Sequence, residues 1–197
     1  TGVQTCALPI LAKMKPPVFM KDGPLAGLKK VSQLKPDHPC KVLVSNRRIP
    51  NEIHHKLFWC PKFMGWSNTV VPGKFDQKAL DYDEGRLLIP FLNKDGVMHA
   101  FQGRAISANS NNRYITIVND ETRPKLYGLD RVDLSKKTYV FEGPIDSMFV
   151  PNSIATAGGD LISAIKDMPK DKLVIVYDNE PRSDRKSTRL NSSHGYI

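Results

Sequence analysis

The apolar positions of this chain change rhythm along its length, and the changes mark its parts. Residues 11–35 are rich in Lys, Pro and Gly with no sustained period, which predicts a linker or loose lead-in. Over 37–48 the spacing becomes helical, with Asp37 as N-cap, Pro39 in the first turn and Cys40, Val42 and Leu43 inward. Pro50 stops that helix and a second runs over 51–57, after which Phe58, Trp59, Phe63 and Trp66 supply a small aromatic core. Residues 70–83 read as irregular. Strands then follow at 86–90, 97–104 and 113–118, the first two joined by Asn93-Lys94-Asp95-Gly96, a tight turn because Asp-Gly accepts positive φ.

From residue 138 the pattern changes again. The runs 138–141 and 173–177 are β-branched and aromatic without polar alternation, as in strands of a parallel sheet covered on both faces. Between them the sequence predicts a helix over 144–150, a strand at 154–156, and a helix over 160–168 with Leu161, Ile162 and Ile165 on one face. The expected fold class is therefore α/β (α+β overall): a parallel βαβαβ sheet preceded by a smaller, mixed and basic subdomain.

Both outer runs end in acid, Glu142 after the first and Asp178 and Glu180 after the second. Ligands of open parallel sheets collect at the carboxyl ends of strands, where strand order reverses. If these two strands are neighbours, roughly 4.8 Å apart, their carboxylates converge and repel unless a divalent cation neutralises them. All-oxygen ligands suit magnesium, which shares its coordination with phosphates. The alternative is that Glu142 and Asp178 only cap turns.

Composition adds modestly to this. Lys and Arg number 29 against 20 Asp and Glu, a net charge of +9, which fits a polyanion-binding surface without requiring one. Of the three cysteines, Cys40 and Cys60 lie 20 residues apart with no CxxC, which excludes a disulfide framework and a zinc site, and His54-His55 does not change that. No run reaches the roughly 20 apolar residues of a membrane span, and no signal peptide is evident. The termini, TGVQTCALPI at 1–10 and DRKSTRLNSSH within 184–197, read as translated sequencing adapter. The expectation is a natural segment of about 11–183, C-terminally truncated and, by itself, inactive.

Glu142-Gly143-Pro144-Ile145-Asp146, followed 36 positions after Glu142 by Asp178-Asn179-Glu180, resembles the TOPRIM signature of bacterial-type primases, topoisomerases and some nucleases. The wording EGPIDS with YDNEPR is most similar to the DNA primases of T-even-type bacteriophages. HPCKVLVSNRRIP is similar to the segment preceding the catalytic core of such primases, and residues 86–129 resemble their basic amino-terminal subdomain. The resemblance implies residues 11–36 as linker, 37–130 as basic subdomain and 131–183 as partial TOPRIM domain.

The same resemblance implies roles. Glu142 would be catalytic and metal-linked, Asp146 a supporting acid, and Asp178 and Glu180 metal ligands. Arg86, Arg104 and Arg113, with Lys94 and Lys125 as further candidates, would hold template or nucleotide, since arginine grips phosphate bidentately. The implied activity is RNA-primer synthesis on single-stranded DNA from ribonucleoside triphosphates, with Mg2+ (or Mn2+ in its place) and beside a replicative helicase. It would act in the cytoplasm of the bacterial host and not at a membrane, with zinc confined to a module upstream of this segment. A TOPRIM-type nuclease and a noncatalytic nucleic-acid-binding module are the other readings.

Overall fold

The computed structural model of the chain describes residues 23–158 and 161–177. Two sheets organise it. The first is antiparallel, in the order β1 (Lys29–Lys30), β2 (Phe58–Cys60), β3 (Arg86–Leu92), β4 (Met98–Ala105), β5 (Tyr114–Val118). The second is parallel, with β6 (Thr138–Phe141) between β7 (Ser153–Ala155) and β8 (Leu173–Val176).

The β3–β4 hairpin sets the geometry of the first sheet. Gly96 takes φ +78°, and Asn93 Oδ1 accepts from the backbone N–H groups of Asp95 and Val97 at 3.0 and 2.8 Å, so the turn is fixed from within. The fixed register pairs Leu87 with Arg104 and Ile89 with Gln102. Because strand side chains alternate, Leu88, Phe101 and Ile117 share one face with Phe58 and with Phe63 of α2 (Phe63–Val70). Leu87, Ile89, Phe91 and Ala100 form the other face, packed against Tyr127, Phe141, Ile145 and Ala155 of the parallel unit. A third cluster, with Leu126, Val140, Ile154 and Leu161, covers the far side of the parallel sheet. Both faces of β6 and β7 are thus covered, as unbroken apolar strands require, while β8 at the edge is half-buried along its length.

Antiparallel bridging of Tyr127 to Ala155 ties the segment after β5 to β7 through backbone hydrogen bonds of 2.8 and 3.1 Å. Lys56 Nζ adds an ion pair with Asp130 at 2.6 Å, between the 3-10 turn Asn51–Lys56 and the approach to the parallel sheet.

Several local expectations differ from what is observed. The first helix is α1 (Pro39–Asn46), capped by His38, whose Nδ1 accepts from the Cys40 N–H at 3.2 Å, and not by Asp37. Val42 is 40% exposed while Val44 is buried, so the inward stripe keeps Cys40 and Leu43 and takes Val44 in place of Val42. Residues 70–83 include α3 (Gln77–Asp81), whose N-cap Asp76 accepts from the Ala79 N–H at 2.9 Å. The basic lead-in is built into the structure from Lys29 onward, with Val31 fully buried. In the parallel unit, α4 (Pro144–Ser147) and α5 (Leu161–Ala164) are single turns, and Ile162 is half exposed while Leu161 and Ile165 are buried.

Candidate active site

Strand β6 is where the parallel sheet reverses direction of growth: the chain passes from β6 to β7 on one side and then to β8 on the other. Phe141 is level with Ala155 of β7 and Val176 of β8, so Glu142 stands at the carboxyl rim of all three strands. This is the switch point at which ligands of such sheets bind. Asp178 and Glu180 lie outside the described residues.

The turn after β6 is shaped around its acids. Pro144 opens α4 at a position whose missing N–H costs no hydrogen bond. A Cβ on Gly143 would stand 2.5 Å from Asp146 Oδ2, so the Asp146 carboxylate occupies the space that any side chain at 143 would take. Beyond β7, Ala157 and Gly158 both take positive φ, +55° and +79°, and the Gly158 N–H donates to the Glu142 carbonyl at 3.4 Å. A left-handed alanine is strained backbone, held here by packing, since Ala157 is only 6% exposed.

Glu142, Gly143, Asp146 and Gly158 form one wall of a cleft of about 420 Å³, and Gln102, Tyr114 and Thr116 of the antiparallel sheet form the opposite wall. Gln102 is 4% exposed, its Nε2 donates to Thr116 Oγ1 at 2.9 Å, and its Oε1 has no partner. Arg104, two residues further along the same face, pairs with Tyr114 across the sheet and lies over its ring with the guanidinium carbon 4.9 Å from the centroid. It is 5% exposed, and its Nε and Nη1 have no partner. Burial lowers its pKa, and Arg47 and Arg113 nearby push in the same direction.

The cations named from the sequence divide three ways. Arg104 faces the parallel unit, and Arg113 is exposed at the adjoining end of β5. Arg86 does not line the cleft. Strand alternation turns it to the opposite face, over the Phe63 ring, where Glu84, Ser110 and the carbonyls of Gly103 and Asn112 accept from it. Lys94 does not either, because it sits exposed in the hairpin turn, at the end of β3 and β4 away from Arg104. Lys125 lines a second, larger cleft of about 740 Å³ with Arg123 and Lys166, and that cleft meets the first at Gly158.

Gln102, Tyr114 and Thr116 escaped sequence reasoning. Their signal was available: position 102 stands two before Arg104 on a strand whose register the Asp-Gly turn fixes.

The donors on the cleft walls are carboxylate, hydroxyl and amide oxygens, with no sulfur or imidazole, which is the chemistry a hard divalent cation takes. Among the described residues no three His, Cys, Asp or Glu side chains converge as a metal site. Also among them, no helix is long and apolar enough to cross a membrane.

No protein-family profile matches the chain. It is 37% identical over 153 residues to the DNA primase of Enterobacteria phage T4, an alignment covering 78% of this chain and 43% of that protein, so the chain spans less than half of its relative. Among solved structures it is similar to the RNA polymerase domain of Mycobacterium tuberculosis primase DnaG, with TM-score 0.57, 16% identity and coverage of 84% of this chain and 66% of that one. It is likewise similar to a DnaG primase catalytic domain bound to single-stranded DNA, with TM-score 0.53, 16% identity and coverage of 82% and 61%. The mixed antiparallel and parallel architecture is that of primase catalytic domains.

Proposed function

As a relative of phage T4 DNA primase that carries the fold of a bacterial primase catalytic domain, this chain is, we propose, part of the catalytic core of an enzyme that makes RNA primers on single-stranded DNA. The observation that carries this reading is the facing, across one cleft, of the strand-end acids Glu142 and Asp146 with Gln102, Tyr114 and Thr116 of the antiparallel sheet, with buried Arg104 beside them, stacked on Tyr114. Acids alone at a strand end fit many chemistries. Acids facing a wall beside which an arginine keeps two nitrogens without acceptors fit a substrate that is itself an anion.

The cation that this donor chemistry suits is magnesium, with Glu142 and, from the segment directly after Tyr177, Asp178 and Glu180 as its holders. When bound, it would neutralise charge developing as the α-phosphoryl group of a nucleoside triphosphate passes to the attacking hydroxyl and pyrophosphate leaves, and would ease loss of that hydroxyl's proton. Asp146, anchored against Gly143, would orient the site at the start of α4. Arg104, buried beside the cleft, would donate to phosphate oxygens, its burial making each charge-assisted hydrogen bond stronger than at the surface. Arg113 at the rim, and Lys125 with its neighbours in the second cleft, would guide the polyanion toward the acids.

By the same reading the substrates are ribonucleoside triphosphates, the template is single-stranded DNA, a replicative helicase is the partner, and the protein acts in the cytoplasm of a bacterial host. Residues 37–130 would form the basic subdomain and 131–183 part of the TOPRIM domain. The test is primer synthesis on single-stranded DNA by the intact enzyme, wild type against Glu142→Gln. Loss of at least about a hundredfold with DNA binding retained is expected, the scale on which electrostatic active-site groups act. Unchanged synthesis, or metal-dependent cleavage of DNA in place of synthesis, overturns the reading.

A further inference from the structure

Two side chains on β4 carry unmet hydrogen-bonding capacity of opposite kinds. Gln102 Oε1 is a buried acceptor without a donor, and Arg104 Nε and Nη1 are buried donors without an acceptor. The two residues lie on the same face of one strand, separated by roughly 6.6 Å of backbone rise. Burying a polar group unpaired costs about 1–3 kcal/mol, and native folds leave few such groups unless a ligand or water completes them. The Gln102 Nε2 donates to Thr116 Oγ1, which leaves Oε1 as the unpaired atom of the amide.

A phosphate satisfies Arg104 and cannot satisfy Gln102, because phosphate oxygens at neutral pH only accept. The Gln102 oxygen needs a donor. On a nucleotide the donors are base amino groups, which differ from base to base, and sugar hydroxyls, which every ribonucleotide carries. The 2′-hydroxyl is the group that distinguishes RNA from DNA.

We propose that Gln102 is a sugar-specificity residue, its amide oxygen accepting a hydrogen bond from the 2′-hydroxyl of a ribonucleotide in the cleft. The proposal rests on the reading of this cleft as a nucleotide site. Thr116 is the positioning residue that holds the amide with its oxygen toward the ligand. A deoxynucleotide in the same place leaves the buried oxygen unpaired, which is how a polar pocket rejects an analogue lacking one hydroxyl. Because the cleft is open on one side, water repays part of that loss, and the discrimination is smaller than in a sealed pocket.

Equilibrium binding of four nucleotides to the full chain in Mg2+ tests this: ATP, 2′-deoxy-ATP, 2′-O-methyl-ATP and 3′-deoxy-ATP. ATP and 3′-deoxy-ATP are expected to bind alike, and the two analogues without a 2′-hydroxyl roughly tenfold more weakly, the loss of one buried hydrogen bond. In Gln102→Met, which keeps the side-chain length and removes the acceptor, the preference should shrink to within about twofold through weaker ATP binding, with thermal stability equal or higher. Equal binding of all four by the wild type overturns the sugar role and leaves the nucleotide site standing. So does a 2′-hydroxyl preference that survives in Gln102→Met. Binding of none overturns both. The wild-type comparison needs no folded variant.

Discussion

Gly143 and Asp146 occupy one volume: a methyl group at 143 would lie 2.5 Å from the Asp146 carboxylate. Gly143 has φ −110°, which alanine adopts freely, so the glycine is required by its neighbour and not by its backbone. Gly143→Ala should therefore fold normally, its melting midpoint within about 3 °C of wild type. It should also displace the carboxylate and lower primer synthesis by up to roughly a hundredfold, the order that a misplaced group costs. Calorimetry with a primer-extension assay separates the two effects. A fully active Gly143→Ala would remove Asp146 from the site.

Arg86 and Arg104 invert each other, although both are arginines on neighbouring strands and both are buried. Arg86 is a structural ion, bonded to Glu84, Ser110 and two carbonyls. Arg86→Met should cost about 2 kcal/mol of stability, from the carbonyls of Gly103 and Asn112 and the Ser110 hydroxyl left without their buried donor, and leave the salt dependence of DNA binding unchanged. Arg104→Met removes two buried nitrogens that have no partner along with the stacking on Tyr114, so its stability cost should be smaller than that of Arg86→Met. Its affinity for single-stranded DNA or nucleotide should fall, with the salt slope smaller by about one phosphate contact. Urea titration and binding at a series of salt concentrations check both variants. Equal slopes for the two would contradict the assignment.

How much of this could be read beforehand follows from periodicity. The parallel strands and the EGPID turn are legible because an unbroken apolar run ending in acid suits little besides a strand covered on both faces, and the β6–β8 adjacency places Glu142 at a switch point. The Asp-Gly hairpin is equally legible. The face that Arg86 takes could not be read, because a basic residue in a strand carries no sign of it until a neighbour fixes the register. Leu87 packs toward the parallel unit, so Arg86 cannot. The short strands β1 and β2 were hidden because two or three residues do not establish a period of two, and Lys29 and Lys30 look like solvated charge until paired with Trp59 and Phe58. The spacing from Arg104 gave the face of Gln102, but an amide amid hydrophobic residues does not announce unmet bonding, and only the fold shows that its oxygen has no donor.

His99 makes stability sensitive to acid. Its ring is 1% exposed, lies edge-to-face with Phe91, and has no hydrogen-bond partner of ordinary geometry on either nitrogen. Burial pushes its pKa below the ordinary histidine value, against a weaker opposing pull from the nearby backbone of Leu126. The folded protein therefore stays neutral there while the unfolded chain takes up a proton below about pH 6.5. Stability from this residue is complete above that pH and is lost as pH falls toward the depressed folded-state value, by up to about 1.4 kcal/mol per pH unit. Denaturation at pH 7.5 and pH 5 should show a larger acid loss for wild type than for His99→Phe. Equal losses would mean that the histidine is hydrated or charged in the fold.

The two core cysteines act at the other end of the scale. Cys40 on α1 and Cys60 on β2 are fully buried, and burial raises both thiols to about 12, with Asp83 adding to the effect at Cys60. Reaction with electrophiles requires thiolate, so in a Cys6→Ser background neither should react with a disulfide reagent at pH 8 until the protein unfolds. The same shift has a stability consequence of definite sign. A folded-state pKa above the unfolded value gives stabilisation that is complete below about pH 9 and disappears as pH rises toward about 12. Cys40→Ala with Cys60→Ala should be less stable than wild type at pH 8, from lost packing, yet should lose less further stability between pH 8 and pH 10.5. Rapid labelling of either thiol in the folded protein would place it at a surface, and would remove Cys40 from the packing between α1 and the inner face of the antiparallel sheet.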